Sequence, residues 1–95
     1  MPQVITLEWD AQNEAHATRH GVSRAELDEL VAYGLWVMVS DTGGRGDRRR
    51  LIGQTRRFVT LVLEWTGAPG RYRPITAWPA TPREIRLYWE HSRLR

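Results

Sequence analysis

Two strand-like runs, residues 49–55 and 58–65, are separated only by Arg56 and Arg57. So short a connection cannot carry a crossover, so the runs must be antiparallel neighbours joined by a tight turn. Leu35-Trp36-Val37-Met38-Val39 is too brief and too β-branched for a helix, and reads as a strand buried on both faces. Residues 72–78 read as another strand. Pro74 within it has no N–H to give a ladder and predicts an edge or a bulge. Residues 4–9 have the β-branched and aromatic content of a first strand.

Helix signals fall between these runs. Asp10 can cap a helix over residues 11–20 through its side-chain oxygen, and Gly21 stops it. Ser23 and Glu26 form a capping box, with Val22 and Leu27 as a hydrophobic staple. Leu27, Leu30 and Val31 then make one apolar face, which ends at Gly34. Thr81-Pro82-Arg83-Glu84 is a second capping box with proline at the first helical position, and Ile85, Tyr88 and Trp89 line one face of the helix that follows. Residues 41–47 read as a loop. Its Gly43-Gly44-Arg45-Gly46 matches neither a Walker nor a dinucleotide fingerprint, which leaves a flexible hairpin connection. The predicted order is β-α-α-β-β-β-β-α: a single α+β domain over residues 1–95, with an antiparallel sheet packed by helices.

Composition narrows the class. With 95 residues and no cysteine, the chain has one small core and neither disulfides nor thiolate metal clusters to reinforce it. No apolar run approaches 18 residues and no charged-then-apolar leader is present, which predicts no membrane span, no signal peptide and a cytoplasmic location. All fourteen basic residues are Arg. Residues 1–40 carry six acids and two Arg, whereas residues 41–95 carry five acids and twelve Arg. That asymmetry makes the second part a candidate surface for phosphate.

Three residue groups are candidates for chemistry. His16 and His20 lie four apart and share a helix face. Zinc needs at least three protein ligands, and Ala17 stands where the metalloprotease pattern has Glu, so neither a metal nor another cofactor is expected. The pair either packs and hydrogen-bonds its helix, or contributes an acid–base or phosphate contact near neutrality. Seven Arg between residues 48 and 73 form the second group, with Arg48 and Arg50 on one strand face and Arg71 and Arg73 paired likewise. They are either a solvated, salt-bridged surface or a phosphate-recognition surface. Of the five Trp, Trp36 and Trp89 read as core, and Trp9 and Trp78 as stacking candidates.

Leu7-Glu8-Trp9-Asp10, Asn13, His16 and Arg19-His20-Gly21-Val22, followed by a capped acidic helix, resemble the opening of the BrnT-type toxins of bacterial type II toxin–antitoxin systems. Ile52-Gly53-Gln54-Thr55, Arg73-Pro74-Ile75-Thr76-Ala77, Ala80-Thr81, Glu84 and Tyr88 resemble later signatures of the same family, in order and over nearly the whole chain. The resemblance implies a RelE-like fold and a metal-independent endoribonuclease that inhibits growth. It implies as partners RNA, with ribosome-associated mRNA as one form, and a cognate antitoxin that neutralises the toxin. Operator DNA would be reached only through that antitoxin.

The family's recurring polar residues fall on His16, His20, Arg50, Arg73, Glu84 and Tyr88. The expected catalytic set is therefore His20 as leading base or acid, with His16, Arg50, Arg73 and Tyr88. Arg48, Arg57, Trp78 and Arg83 are the expected RNA-binding set. Trp78 stands where the family has Arg, and loss of one preorganised charge-stabilising donor costs about 10²–10³ in rate. The alternative is a non-catalytic nucleic-acid- or protein-binding module built on the same fold.

Overall fold

The computed structural model describes residues 4–40 and 47–93; the expected Gly-rich connection at 41–46 lies outside the described residues. The elements are β1 (Thr6–Leu7), α1 (Ala11–Ala17), α2 (Arg24–Tyr33), β2 (Leu35–Ser40), β3 (Arg48–Gln54), β4 (Phe58–Trp65), β5 (Arg71–Pro79) and α3 (Pro82–Arg93), in the predicted order. One sheet holds the strands as β1-β5-β4-β3-β2. The four later strands pair antiparallel, as their short connections require, but β1 runs parallel to β5. The sheet is therefore mixed rather than antiparallel. Two helices and three strands separate β1 from its partner, so no tight turn fixes their relative direction.

β1 is also much shorter than residues 4–9, and Pro74 explains why. Thr6 N–H donates to Gly70 O and Glu8 N–H to Tyr72 O. In parallel register the carbonyl of Glu8 would next accept from residue 74, which has no N–H. Asn13 Nδ2 fills the vacancy by donating to Glu8 O at 2.9 Å. On its other edge, β5 slips register against β4 between Val62 and Leu63, which makes Ile75 an extra residue. The bulge expected at Pro74 is present.

Alternation along the strands divides the apolar residues between two faces. Leu51, Val59, Leu61, Leu63, Tyr72 and Ala77 pack with Ile5, Ala17, Val22, Leu27 and Leu30, which seats α1 and α2 on one face. On the other, Val37 and Ile52 pack with Tyr88, Phe58, Ala80 and Leu87 beneath α3. Among the described residues no helix is long and apolar enough to cross a membrane.

Three local expectations change. α1 ends at Ala17, with Thr18 as its C-cap and both the Thr18 hydroxyl and N–H donating to Glu14 O; the chain then reverses through Gly21 at φ +88°. β2 is an edge strand and only partly buried on its two faces: Val37 is buried on the α3 side and Trp36 and Met38 pack, partly buried, against the α1–α2 core, while Leu35 at its start is 66% exposed. On α3 the buried residues are Glu84 and Tyr88, while Trp89 is half exposed and meets Phe58 and Tyr88 only edge-on. The helix is rotated from its apolar stripe because Glu84, a carboxylate, finds partners on the sheet.

Candidate nucleic-acid interface

Among the described residues the sheet face under α3 is only partly covered, since α3 lies over the end bearing Val37, Ile52 and Phe58. Register sets out the remainder in rows across β3, β4 and β5. Arg48, Glu64 and Arg73 form one row, Arg50, Val62 and Thr76 the next, and Ile52, Thr60 and Trp78 the third. Arg48, Arg50, Arg73 and Trp78 therefore share a face. The Nε of Arg48 is buried and has no hydrogen-bond partner among the described residues.

Glu84 organises the third row. Its Oε1 accepts from the Trp78 indole Nε1 at 2.9 Å and from Thr81 N–H at 2.9 Å, while Thr81 Oγ1 accepts from Glu84 N–H at 3.2 Å. The predicted capping box is thus complete, and the indole is recruited to it. Oε2 faces Arg50 Nη1 at 3.4 Å, and the Arg50 guanidinium lies 5.7 Å from the centre of the Trp78 ring, over its face. Burial acts to raise the Glu84 pKa, but the Thr81 N–H, the Trp78 indole and the hydroxyls of Thr60 and Thr81 outweigh it and hold the carboxyl below its ordinary range. Thr60 Oγ1 itself has no partner in hydrogen-bond geometry among the described residues, so its influence is that of a nearby dipole.

Arg73 stands where this face turns the corner into a second feature. Gln12, Asn13, His16, Arg73, Pro74 and Ile75 line a cleft of about 280 Å³ between α1 and β5. It exists because β1 stops early and leaves β5 uncovered beyond Tyr72. Asp10 Oδ2 holds Arg73 Nη2 at 2.6 Å; the Asn13 N–H foremost, and then the Arg73 contact, lower the Asp10 pKa, and the Asp10 contact raises that of Arg73. Arg19 Nη1 lies 3.3 Å from His16 Nδ1. A guanidinium only donates, so this contact assigns Nδ1 as acceptor and the proton of the neutral ring to Nε2.

The expected catalytic residues therefore divide. His16 and Arg73 both line the cleft, and Arg50 lies on the sheet face with Arg48 and Trp78. Tyr88 is buried in the second core, its ring edge-on to Phe58 and Trp89. His20 is exposed in the turn after α1, outside the cleft lining and on the opposite side of the sheet from Arg50. Among the expected RNA contacts, Arg83 is exposed in the first turn of α3. Arg57 is engaged elsewhere. Its Nε and Nη2 grip both Glu26 oxygens at 2.8 and 2.9 Å, and Nη2 also donates to Gly21 O at 2.7 Å, tying the β3–β4 turn to α2. Trp9 is likewise occupied, with its indole donating to Asp28 and Arg24 5.2 Å above its ring.

Pairing also answers the charge asymmetry. Arg57–Glu26, Arg71–Glu8 and Arg73–Asp10 each join an Arg of the second half to a carboxylate of the first. Arg48, Arg56, Arg83, Arg86 and Arg93 make no ion pair among the described residues. The basic surface is thus narrower than the Arg count suggests. No group of three or more His, Asp or Glu able to hold a metal is found among the described residues. No family model, curated protein or solved structure matches the chain.

Proposed function

We propose that this chain is the RNA-directed toxin of a toxin–antitoxin pair, with single-stranded RNA lying across Arg48, Arg50 and Trp78 and its reacting phosphate in the His16–Arg73 cleft. The observation that carries this reading is the corner at Arg73, where an Arg-bearing, partly uncovered sheet face runs into a cleft lined by an imidazole. The BrnT-type resemblance of the sequence supports the same class, with a small antitoxin as protein partner.

The chemistry needs no metal. A base takes the 2′-hydroxyl proton, the oxygen attacks the adjacent phosphorus, and the 5′-oxygen leaves with a proton, giving a 2′,3′-cyclic phosphate. His16 is the residue of the cleft that can exchange protons near neutrality, and Arg73 can hold the extra negative charge of the transition state. Arg itself stays protonated and moves no proton.

The test is cleavage of RNA by the purified protein in EDTA. Fragments with 2′,3′-cyclic phosphate ends are expected, with His16→Ala slower by about 10²-fold or more and His20→Ala close to wild type. Intact RNA with well-folded protein at high concentration overturns the nuclease assignment. A second reading, RNA binding without cleavage, is favoured by Trp78 standing where the family has Arg. It predicts salt-dependent binding with no product. Growth arrest on induced expression, rescued by the neighbouring small gene, tests the toxin class directly.

A further inference from the structure

Glu84 does more than its helix requires. A capping box needs one acceptor for the Thr81 N–H, which Gln supplies as well as Glu. Here Oε1 serves the cap and at the same time takes the Trp78 indole N–H, while Oε2 is left for Arg50. The carboxylate side chain is only 8% exposed. A buried charge is costly unless donors surround it, so a Glu at this position must be held by its partners, and it fixes them in return. Those partners are a guanidinium and an indole already placed together, the guanidinium 5.7 Å from the ring centre and over its face.

We infer that Glu84 is a positioning residue that fixes Arg50 and Trp78 as a clamp for one unpaired nucleotide, with phosphate on the guanidinium and base against the Trp78 ring. The inference rests on the RNA reading above and adds the residue that sets the clamp and the reason it favours an unpaired base. Trp78 is half-buried in the angle where β5 leads into α3, six residues from Glu84. A base in a duplex has no free face to offer such a recessed ring, whereas an unpaired base does. Thr76 and Val62 continue the face toward Arg48 and Arg73, giving an extended strand a path away from the clamp.

Glu84→Gln separates the two roles. The amide oxygen can still accept from Thr81 N–H and the Trp78 indole, but the amide nitrogen then faces Arg50, donor against donor. The experiment is fluorescence anisotropy of labelled oligoribonucleotides, single-stranded and as a duplex of the same sequence, with wild type, E84Q and T81A. Wild type is expected to prefer the single strand by about tenfold or more, on the scale of one stacked base. E84Q should lose most of that preference and leave duplex binding unchanged, while its Trp78 indole N–H resonance persists. T81A should lower the melting temperature and keep the preference, since it weakens the cap but not the clamp.

E84Q that folds and retains the full single-strand preference overturns the inference and leaves RNA binding standing. Wild type that binds neither RNA overturns the RNA reading and the clamp with it. If E84Q is poorly folded, Arg50→Lys makes the same comparison, because it keeps the charge and loses the planar fork. Equal preference in R50K and wild type is then the overturning result.

Discussion

Asn13 carries three hydrogen bonds from a position 7% exposed. Its N–H donates to Asp10 Oδ1, its Oδ1 accepts from Asp10 N–H, and its Nδ2 serves the Glu8 carbonyl that Pro74 leaves without a ladder partner. Asn13→Ala removes the last two and leaves a backbone donor and acceptor unsatisfied at the mouth of the cleft. The expected loss is about 2 kcal/mol in urea unfolding, the scale of a lost cap plus a buried orphan group. Loss below about 0.5 kcal/mol would show that water replaces the amide at no cost. Asp10 was legible as a cap from sequence, but its reciprocal partner was not, because Asp-x-x-Asn lies outside the Ser/Thr-x-x-Glu/Gln pattern. The same limit applies to Glu84: Thr81-x-x-Glu84 announces a box, and nothing local to it announces Trp78 or Arg50 as further partners. Residues that make contacts across the sheet become readable only when the strand order is known.

Among the elements, β3 is held between β2 and β4, and Gly53 sets how closely β2 can approach. A Cβ at Gly53 would lie 2.5 Å from Leu35 O and 2.6 Å from Trp36 Cβ, both rigid parts of the facing strand. Gly53→Ala should therefore push the β2 edge outward, costing about 1–3 kcal/mol, or roughly 4–8 °C in melting temperature for each kcal/mol. Amide exchange should rise in β2 before it rises in β4, where the ladder to β5 is untouched. Uniform acceleration over all strands would contradict this local account. The strands themselves were readable: the 58–65 run is β4 to the residue, and the two-residue spacing at Arg56-Arg57 dictated its antiparallel partner. β1 was not, since its length is decided by a proline 67 residues further along. Helix boundaries with a strong side-chain cap, at Ser23 and Thr81, were legible. The end of α1 was not, since the helix stops at Ala17, four residues before the glycine that marks the turn.

At the scale of the whole molecule, a radius of gyration of 12.3 Å suits one domain of 95 residues, for which about 12 Å is expected. Division of the sheet into two faces decides which candidates can act together, and no linear motif records it: His16 and His20 are four residues apart, yet only His16 lines the cleft with Arg73. The acidic and basic halves of the sequence are brought into register by the same fold, through Asp10–Arg73, Glu8–Arg71 and Glu26–Arg57. This gives stability a definite pH dependence. The Arg57 contact, above all its hydrogen bonds, holds Glu26 below its ordinary value of 4.5, and Asp10 and Glu84 are lowered too. A carboxyl with a folded pKa below its unfolded one binds fewer protons folded, so its contribution is complete above the unfolded value and is lost as pH falls through the folded one. Melting temperature should therefore be level from about pH 7 to about pH 5 and fall below about pH 4. The drop should be steepened by repulsion among fourteen Arg once the carboxylates are neutral. Glu26→Gln isolates one contribution: the variant should melt below wild type near neutrality, and the gap should close as the solution is acidified. Added salt at neutral pH should narrow the gap in the same direction, since the Arg57 side chain is 44% exposed and its pairing is screened. A gap of constant size from neutral to acid pH would show that Glu26 acts through packing against α2 and the turn, with its charge contributing nothing.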